Sequence, residues 1–282
     1  MNNHQVLVDQ LIDLAISEDI GDGDHTSLAC IPSNAHGEAR LLIKEQGIIA
    51  GIELAKLVFN KIDSSLVFTQ VINDGDFVKN NDIAFYVEGN SQSILKAERL
   101  ALNFMQRMSG IATKTNSYAQ LISDLPTKIL DTRKTTPGNR IVEKWAVQLG
   151  GGVNHRMGLY DMIMIKDNHI DYAGGIENAI NKVVDYLKNN NKDLKIEIEA
   201  RDLNELDKIL KVGKVHRIML DNFSFDDMKK AVQLIGGKYE TEASGGITEK
   251  TIREYAKCGV DYISIGALTH QINSLDLSLK AI

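Results

Sequence analysis

The sequence predicts an α/β protein, an incomplete parallel α/β barrel with an N-terminal α+β domain. Two observations carry that expectation. After about residue 127, short apolar segments (KILDTRK, DMIMIKDNH, KIEIEARD, HRIMLDNF, YETEASGG, DYISIGAL) alternate with helical patterns such as IVEKWAVQL, LNELDKILKV and FDDMKKAVQLI. Repeated βα units make a parallel sheet with helical crossovers. Six such units fall short of a full barrel, which has eight and takes roughly 250 residues. Before that region, GEARLLIKEQGIIAGI, SLVFTQV and IAFYVEGN are β-rich and joined by DG and ND turns, so they belong to a separate small domain.

Each element follows from its own pattern. MNNHQVLVDQLIDLAISEDIG has no basic leader and no long apolar core, and acids interrupt it at Asp9, Asp13, Glu18 and Asp19; it is an amphipathic helix. The strands of 37–90 come next. A helix starts near Ser91, where Ile94, Ala97, Ala101, Met105 and Met108 recur at steps of three and four. Arg99 lies off that stripe, in line with Leu95 and Leu102, and Gly110 marks a break or a close-packing point. The expected division is 1–110 for the N-terminal domain and 111–270 for the barrel. The tail 271–282, whose LDLSLKAI does not continue the βα rhythm, packs back on the first domain.

Composition narrows the function. Of 282 residues, 43% are hydrophobic and 25% charged, which is ordinary for a globular protein. A net charge of −6 argues against nucleic acid as the main partner. The longest apolar run contains Lys44, Glu45 and Glu53, so no membrane span is expected. Cys30 and Cys258 have no metal-site spacing and are expected as buried thiols in a reducing cytoplasm. GDGDHTS resembles a calcium loop, but counting from Asp22 puts Ser27 at the glycine position and Ser33 at the bidentate acid.

The informative polar residues sit at strand ends: Asp131 and Arg133, Lys166 and Asp167, Glu199 and Arg201, Asp221 and Asn222, Ser244-Gly245-Gly246, and Gly266. Active sites of α/β barrels are built at that end of the strands. The turns SGG and IGA each lead from a strand into a helix, a setting that turns backbone N–H groups toward a phosphate. Glu199 and Asp221 suit a hard cation such as Mg²⁺. They equally suit ion pairs with Lys166, Arg201 or Arg217, and spacing does not choose. Arg133, Lys134, His155, Arg156 and Lys166 form a group of cations that calls for a polyanionic ligand. VNHR follows the glycine triplet Gly150-Gly151-Gly152, which permits an abrupt return of the chain.

ERLALNFMQRMSGIAT, the block from Asp131 to Ile170, IEIEA, IMLDN, EASGGI and ISIGALTH together resemble the quinolinate phosphoribosyltransferases, as does EDIGDGDHTS near the N-terminus. The resemblance spans nearly the whole chain in order. It implies transfer of phosphoribosyl from phosphoribosyl pyrophosphate to quinolinate with loss of CO₂, giving nicotinate mononucleotide and pyrophosphate for NAD biosynthesis, with Mg²⁺. It implies a homodimer or larger assembly, with Arg99 completing the neighbouring subunit's site. It implies that Arg133, His155, Arg156 and Lys166 bind the quinolinate carboxylates. Lys134, Thr135 and Lys166 would meet phosphoribosyl pyrophosphate, and Glu199 and Asp221 the metal and ribose. Ser244, Gly245, Gly246, Ile265, Gly266 and Ala267 would cradle the 5-phosphate. Lys134, Lys166, Glu199 and Asp221 are the expected catalytic set. Three other readings compete: a pyrophosphorylase-like relative tied to molybdenum uptake, a Schiff-base aldolase using Lys166, and a non-catalytic phosphoribosyl sensor.

Overall fold

The computed structural model describes residues 3–282. In chain order the elements are α1 Asn3–Ile20, α2 His25–Cys30, β1 His36–Ile43, β2 Gly47–Ile48, α3 Ile52–Ile62, β3 Val67–Gln70, β4 Phe77–Val78, β5 Ile83–Asn90 and α4 Ser91–Leu121. There follow β6 Lys128–Leu130, α5 Arg140–Leu149, β7 Ile163–Ile165, α6 Asp167–Ala173, α7 Ile176–Asn189, β8 Ile196–Ala200, α8 Leu203–Val212 and β9 Arg217–Asp221. The last are α9 Phe225–Ile235, β10 Glu240–Ser244, α10 Ile252–Lys257, β11 Tyr262–Ser264, α11 Ala267–His270 and β12 Leu277–Ala281. Among the described residues, no helix is long and apolar enough to cross a membrane.

The chain forms two compact units, and each follows from its own packing. The first comprises the residues up to Asn116, Thr135–Gly151 and Ala267–Ile282. Its main sheet has the order β12-β1-β5-β3, and β1 pairs antiparallel with both β12 and β5. The tail thus adds an edge strand, with Ile43 opposite Leu277 and Leu41 opposite Leu279, all four buried. Phe59 of α3 meets Phe85 of β5 edge-on at 6.0 Å between ring centroids, and Phe68 lies 4.4 Å from Phe85. Asp74 accepts the Ile52 and Glu53 N–H groups at 2.8 and 3.2 Å, closing the open N-terminus of α3 from a distant loop.

α4 buries Ile94, Ala97, Ala101, Met105 and Met108, the expected stripe. It does not break at Gly110. A side chain there would strike the Asn273 carbonyl, whose carbon lies 3.0 Å from the Cβ position, so this glycine serves close packing. The segment Thr135–Gly151 is held to α4 by a buried acid. Glu143 accepts from Arg107 Nε at 2.8 Å and from the Thr136 N–H at 3.2 Å. That attachment explains why α5, which connects β6 to β7, belongs to the first unit and not with the strands it joins.

The second unit comprises Ser117–Lys134 and Gly152–Gly266. Its six-stranded sheet has the order β6-β11-β10-β9-β8-β7, with parallel pairing throughout. The first strand lies beside the last, as in a barrel, but β6 and β7 do not pair among the described residues; the barrel is incomplete. Helix starts are capped where the sequence offers short polar side chains: Asp202 accepts from Glu205 N–H for α8 and Ser224 from Asp227 N–H for α9.

Two local expectations need correction. The strand in DMIMIKDNH is short, ending at Ile165, because Lys166 is the N-cap of α6. Asn139 is the N-cap of α5, and Pro137 lies in the turn before it. Cys258 is buried but Cys30, at the end of the short α2, is exposed.

Candidate active site

The strand ends of the second unit form one rim. Neighbouring ends carry Arg133 and Lys134 after β6, Gly266 after β11, Ser244-Gly245-Gly246 at β10, Asp221 at β9, Glu199 in β8 and Lys166 after β7. Lys166 Nζ lies 2.9 Å from Glu199 Oε2. Asp221 pairs in register with Ser244, and its Oδ2 accepts from Asn222 Nδ2 at 2.6 Å. Of the other cations that could neutralise these acids, Arg201 is engaged by Glu205 at 2.9 Å and Arg217 by Glu240 and Glu242. Gly245 has φ +102°, and a side chain there would collide with Asn222, whose backbone nitrogen lies 2.9 Å from the Cβ position. Only glycine lets this turn pass so close to its neighbour.

Asp131, fully buried, anchors the return of the chain: its Oδ1 accepts the His155 N–H at 2.8 Å. Arg156 follows, with one guanidinium nitrogen donating to the Met162 carbonyl at 3.1 Å. Burial, and then the charge of Arg133, hold Arg156 below the usual arginine range. Two arginines within electrostatic reach of each other are stabilised by a shared anion. Lys134 N–H donates to Thr132 Oγ1 at 3.0 Å, which shapes the turn after Arg133. Thr135 and Ala267, the residues just past Lys134 and Gly266, cluster with the first unit, and Thr135 Oγ1 accepts from Arg140 Nε at 3.0 Å. Arg140 is therefore tied to this loop from the start of α5. Ile265 is buried, and its N–H donates to the Leu130 carbonyl, extending the β6–β11 ladder. Arg99 lies in the first unit, exposed on α4.

The barrel interior holds what the sequence did not announce. β8 is buried along its whole length, and its pleat separates Ile196, Ile198 and Ala200 from Glu197 and Glu199. His155 Nε2 lies 2.9 Å from Glu197 Oε2 and 3.3 Å from Glu242 Oε2. Arg217 NH1 lies 3.2 Å from the same Glu242 oxygen, and the guanidinium sits 4.1 Å from the centre of the Tyr262 ring. Both glutamates are fully buried. Burial, and then Glu242, push Glu197 up to about 6. Burial also raises Glu242, but His155, Ser264 and Arg217 outweigh it and hold that acid below its usual range. Burial lowers His155, whereas hydrogen bonding and charge from the two carboxylates raise it to about 9. Its Nδ1 accepts the Arg156 N–H at 2.7 Å, which opposes that rise by favouring the form protonated on Nε2. A sequence signal was present: acids two apart in a strand, as in IEIEA and ETEAS, face the same side.

Family models of quinolinate phosphoribosyl transferase match residues 24–109 with the N-terminal domain and residues 111–280 with the C-terminal domain. The chain belongs to the quinolinate phosphoribosyltransferase family. Among its quinolinate phosphoribosyltransferase relatives, a decarboxylating enzyme of Nicotiana tabacum is 48% identical over 96% of this chain and 81% of its own length. A chloroplastic carboxylating nicotinate-nucleotide pyrophosphorylase of Arabidopsis thaliana is also 48% identical, with the same coverage. The solved nicotinate-nucleotide pyrophosphorylase of Francisella tularensis is 41% identical and superposes with a TM-score of 0.92, covering 98% of this chain and 96% of that one. The rim of strand ends lies within the part of the chain that the C-terminal family model matches.

Proposed function

We propose that the chain transfers phosphoribosyl from phosphoribosyl pyrophosphate to quinolinate and releases pyrophosphate and CO₂, forming nicotinate mononucleotide for NAD biosynthesis. The observation that carries this reading is that Arg133 stands within electrostatic reach of Arg156, while Lys166 and Glu199 pair at 2.9 Å at the same end of the parallel strands. Planar guanidinium groups hold carboxylates bidentately, and two such groups match an aromatic dicarboxylate. Arg133, Arg156 and Lys166, with His155 behind Arg156, bind its carboxylates. Lys134, Thr135 and Lys166 meet the pyrophosphate side, and the turns Ser244-Gly245-Gly246 and Ile265-Gly266-Ala267 take the 5-phosphate.

Glu199 and Asp221 fit Mg²⁺. One oxygen of each is engaged, by Lys166 and by Asn222, which leaves each carboxylate an oxygen for a hard cation that normally keeps substrate phosphates as further ligands. Glu199 and Asp221 would hold Mg²⁺, whose charge would offset the negative charge on the departing pyrophosphate. The protein's own groups do the rest. Arg133 and Arg156 orient quinolinate so that its ring nitrogen faces the ribose C1. Lys134 and Lys166 stabilise the leaving group, and Glu199 or Asp221 faces the positive charge that develops on the ribose. Once the nitrogen is bonded to ribose the ring is a pyridinium; the bond from C2 to its carboxylate then breaks to release CO₂, the electron pair stays on C2 beside the cationic nitrogen, and a proton from water completes the C2–H of nicotinate mononucleotide.

The working form in this reading is a homodimer or larger assembly, cytoplasmic, in which Arg99 enters the neighbouring subunit's site. The test is CO₂ release from carboxyl-labelled quinolinate. Release is expected only with phosphoribosyl pyrophosphate and Mg²⁺ both present, and chelation by EDTA abolishes it. Absence of product under the complete conditions, or equal turnover without quinolinate's 2-carboxylate, would falsify the assignment.

A further inference from the structure

We propose that Glu197 and Glu242 are positioning residues for the pyridine dicarboxylate: from inside the barrel they set the His155 imidazole, and through it Arg156. The inference rests on the phosphoribosyl transfer to quinolinate proposed above.

The chain of contacts is continuous and lies within one unit. Glu197 and Glu242 approach His155 Nε2 from adjacent parts of the interior, at 2.9 and 3.3 Å. The opposite ring nitrogen accepts the Arg156 N–H at 2.7 Å. The Arg156 guanidinium is steadied by the Met162 carbonyl. The backbone of His155 is fixed by Asp131. A ring whose Nδ1 accepts the next residue's N–H, whose Nε2 faces two carboxylates and whose own backbone N–H is bound has one orientation, and it hands that orientation to the next residue. Each deeper acid is needed for this. Arg217 is engaged by Glu240 and Glu242, whereas Glu197 Oε2 lies 2.9 Å from His155 Nε2. Inward positions of such barrels are usually filled by bulky branched side chains. Here a buried imidazole, a guanidinium and two carboxylates replace them, and burying charge is costly unless the partners are well placed.

Three ligating atoms of His155, Glu197 and Glu242 lie within 4.8 Å of one another, a spacing that would also admit a metal ion. Arg217 argues against one. Its guanidinium already lies 3.2 Å from Glu242, and a metal ion beside that charge would be repelled.

The test is a double-mutant cycle on quinolinate turnover, with each variant checked for a cooperative thermal melt and for bound metal. Glu197→Gln is expected to raise KM for quinolinate about 10-fold, with KM for phosphoribosyl pyrophosphate within about twofold. In a His155→Gln background it is expected to add nothing, because both changes break the same chain. Glu197→Asp, which keeps the charge, should recover part of the loss. An equal rise in both KM values, full additivity in the cycle, or an unchanged quinolinate KM would overturn the proposal. So would a stoichiometric transition metal in the wild-type protein that Glu197→Gln loses. Glu242→Gln serves as the second variant, and failure of both to fold assigns the cluster a structural role alone. A wild-type protein with no quinolinate turnover would sink the enzymatic reading instead, and the two failures are distinguishable.

Discussion

At the scale of single residues, the site is a problem of paying for like charges. Burial, and then the charge of Arg133, hold Arg156 below the usual arginine range. A dianionic substrate relieves both penalties at once, whereas a phosphate held elsewhere on the rim relieves neither. Arg133→Ala is therefore expected to raise KM for quinolinate by about 10- to 100-fold, the size of a lost charge-assisted hydrogen bond. KM for phosphoribosyl pyrophosphate should stay nearly constant. Steady-state kinetics with each substrate varied in turn checks this, and parallel loss for both substrates would contradict the carboxylate assignment. The rim itself was legible in the sequence because polar residues at strand ends break an apolar rhythm. Lys166, Glu199, Asp221 and the Ser244–Gly246 turn are where that reading put them. The interior charges were not legible in the same way. A buried His155 and an exposed one have the same letter, and only the register of β8, β9 and β10 brings Glu197, Arg217 and Glu242 together.

At the scale of elements, periodicity located most helices and strands, and it failed where packing overrules local preference. α6 begins at Asp167, directly after the strand, so no polar linker announces it. Gly110 is the opposite case. Glycine inside a 31-residue helix reads as a weak point, yet the helix continues because the tail's backbone at Asn273 and Ser274 presses against it. Gly110→Ala sets two effects against each other. Alanine favours the helix by about 1 kcal/mol. Its Cβ would sit 3.0 Å from the Asn273 carbonyl carbon and 3.1 Å from Ser274 Cα, both backbone atoms that cannot swing aside. Overpacking of that kind costs about 1–3 kcal/mol, so the variant should be less stable by up to about 2 kcal/mol. Urea denaturation monitored by circular dichroism would show a lower midpoint. A midpoint at or above wild type would mean that the tail yields freely at this contact.

At the scale of the whole molecule, the question is where Arg99 acts. It is exposed on α4, in the unit that does not carry the rim of strand ends. Leu95, one helical turn before it, is also exposed, and the two share a face that the buried stripe of the helix leaves outward. If Arg99 completes a neighbour's site, its loss can be supplied by another subunit, whereas the loss of Lys166 cannot. Arg99→Ala and Lys166→Ala should each abolish most activity as homodimers. Unfolded together and refolded at equal amounts, they give about half heterodimers, and each heterodimer has one intact site of two. The mixture should therefore recover about one quarter of wild-type activity. In that arrangement the intact site joins the barrel of the Arg99→Ala chain to the Arg99 of the Lys166→Ala chain. Recovery must also fall on dilution below the dimer dissociation constant, because the restored site exists only in the assembly. No recovery from two well-folded variants would place Arg99 in the service of its own chain.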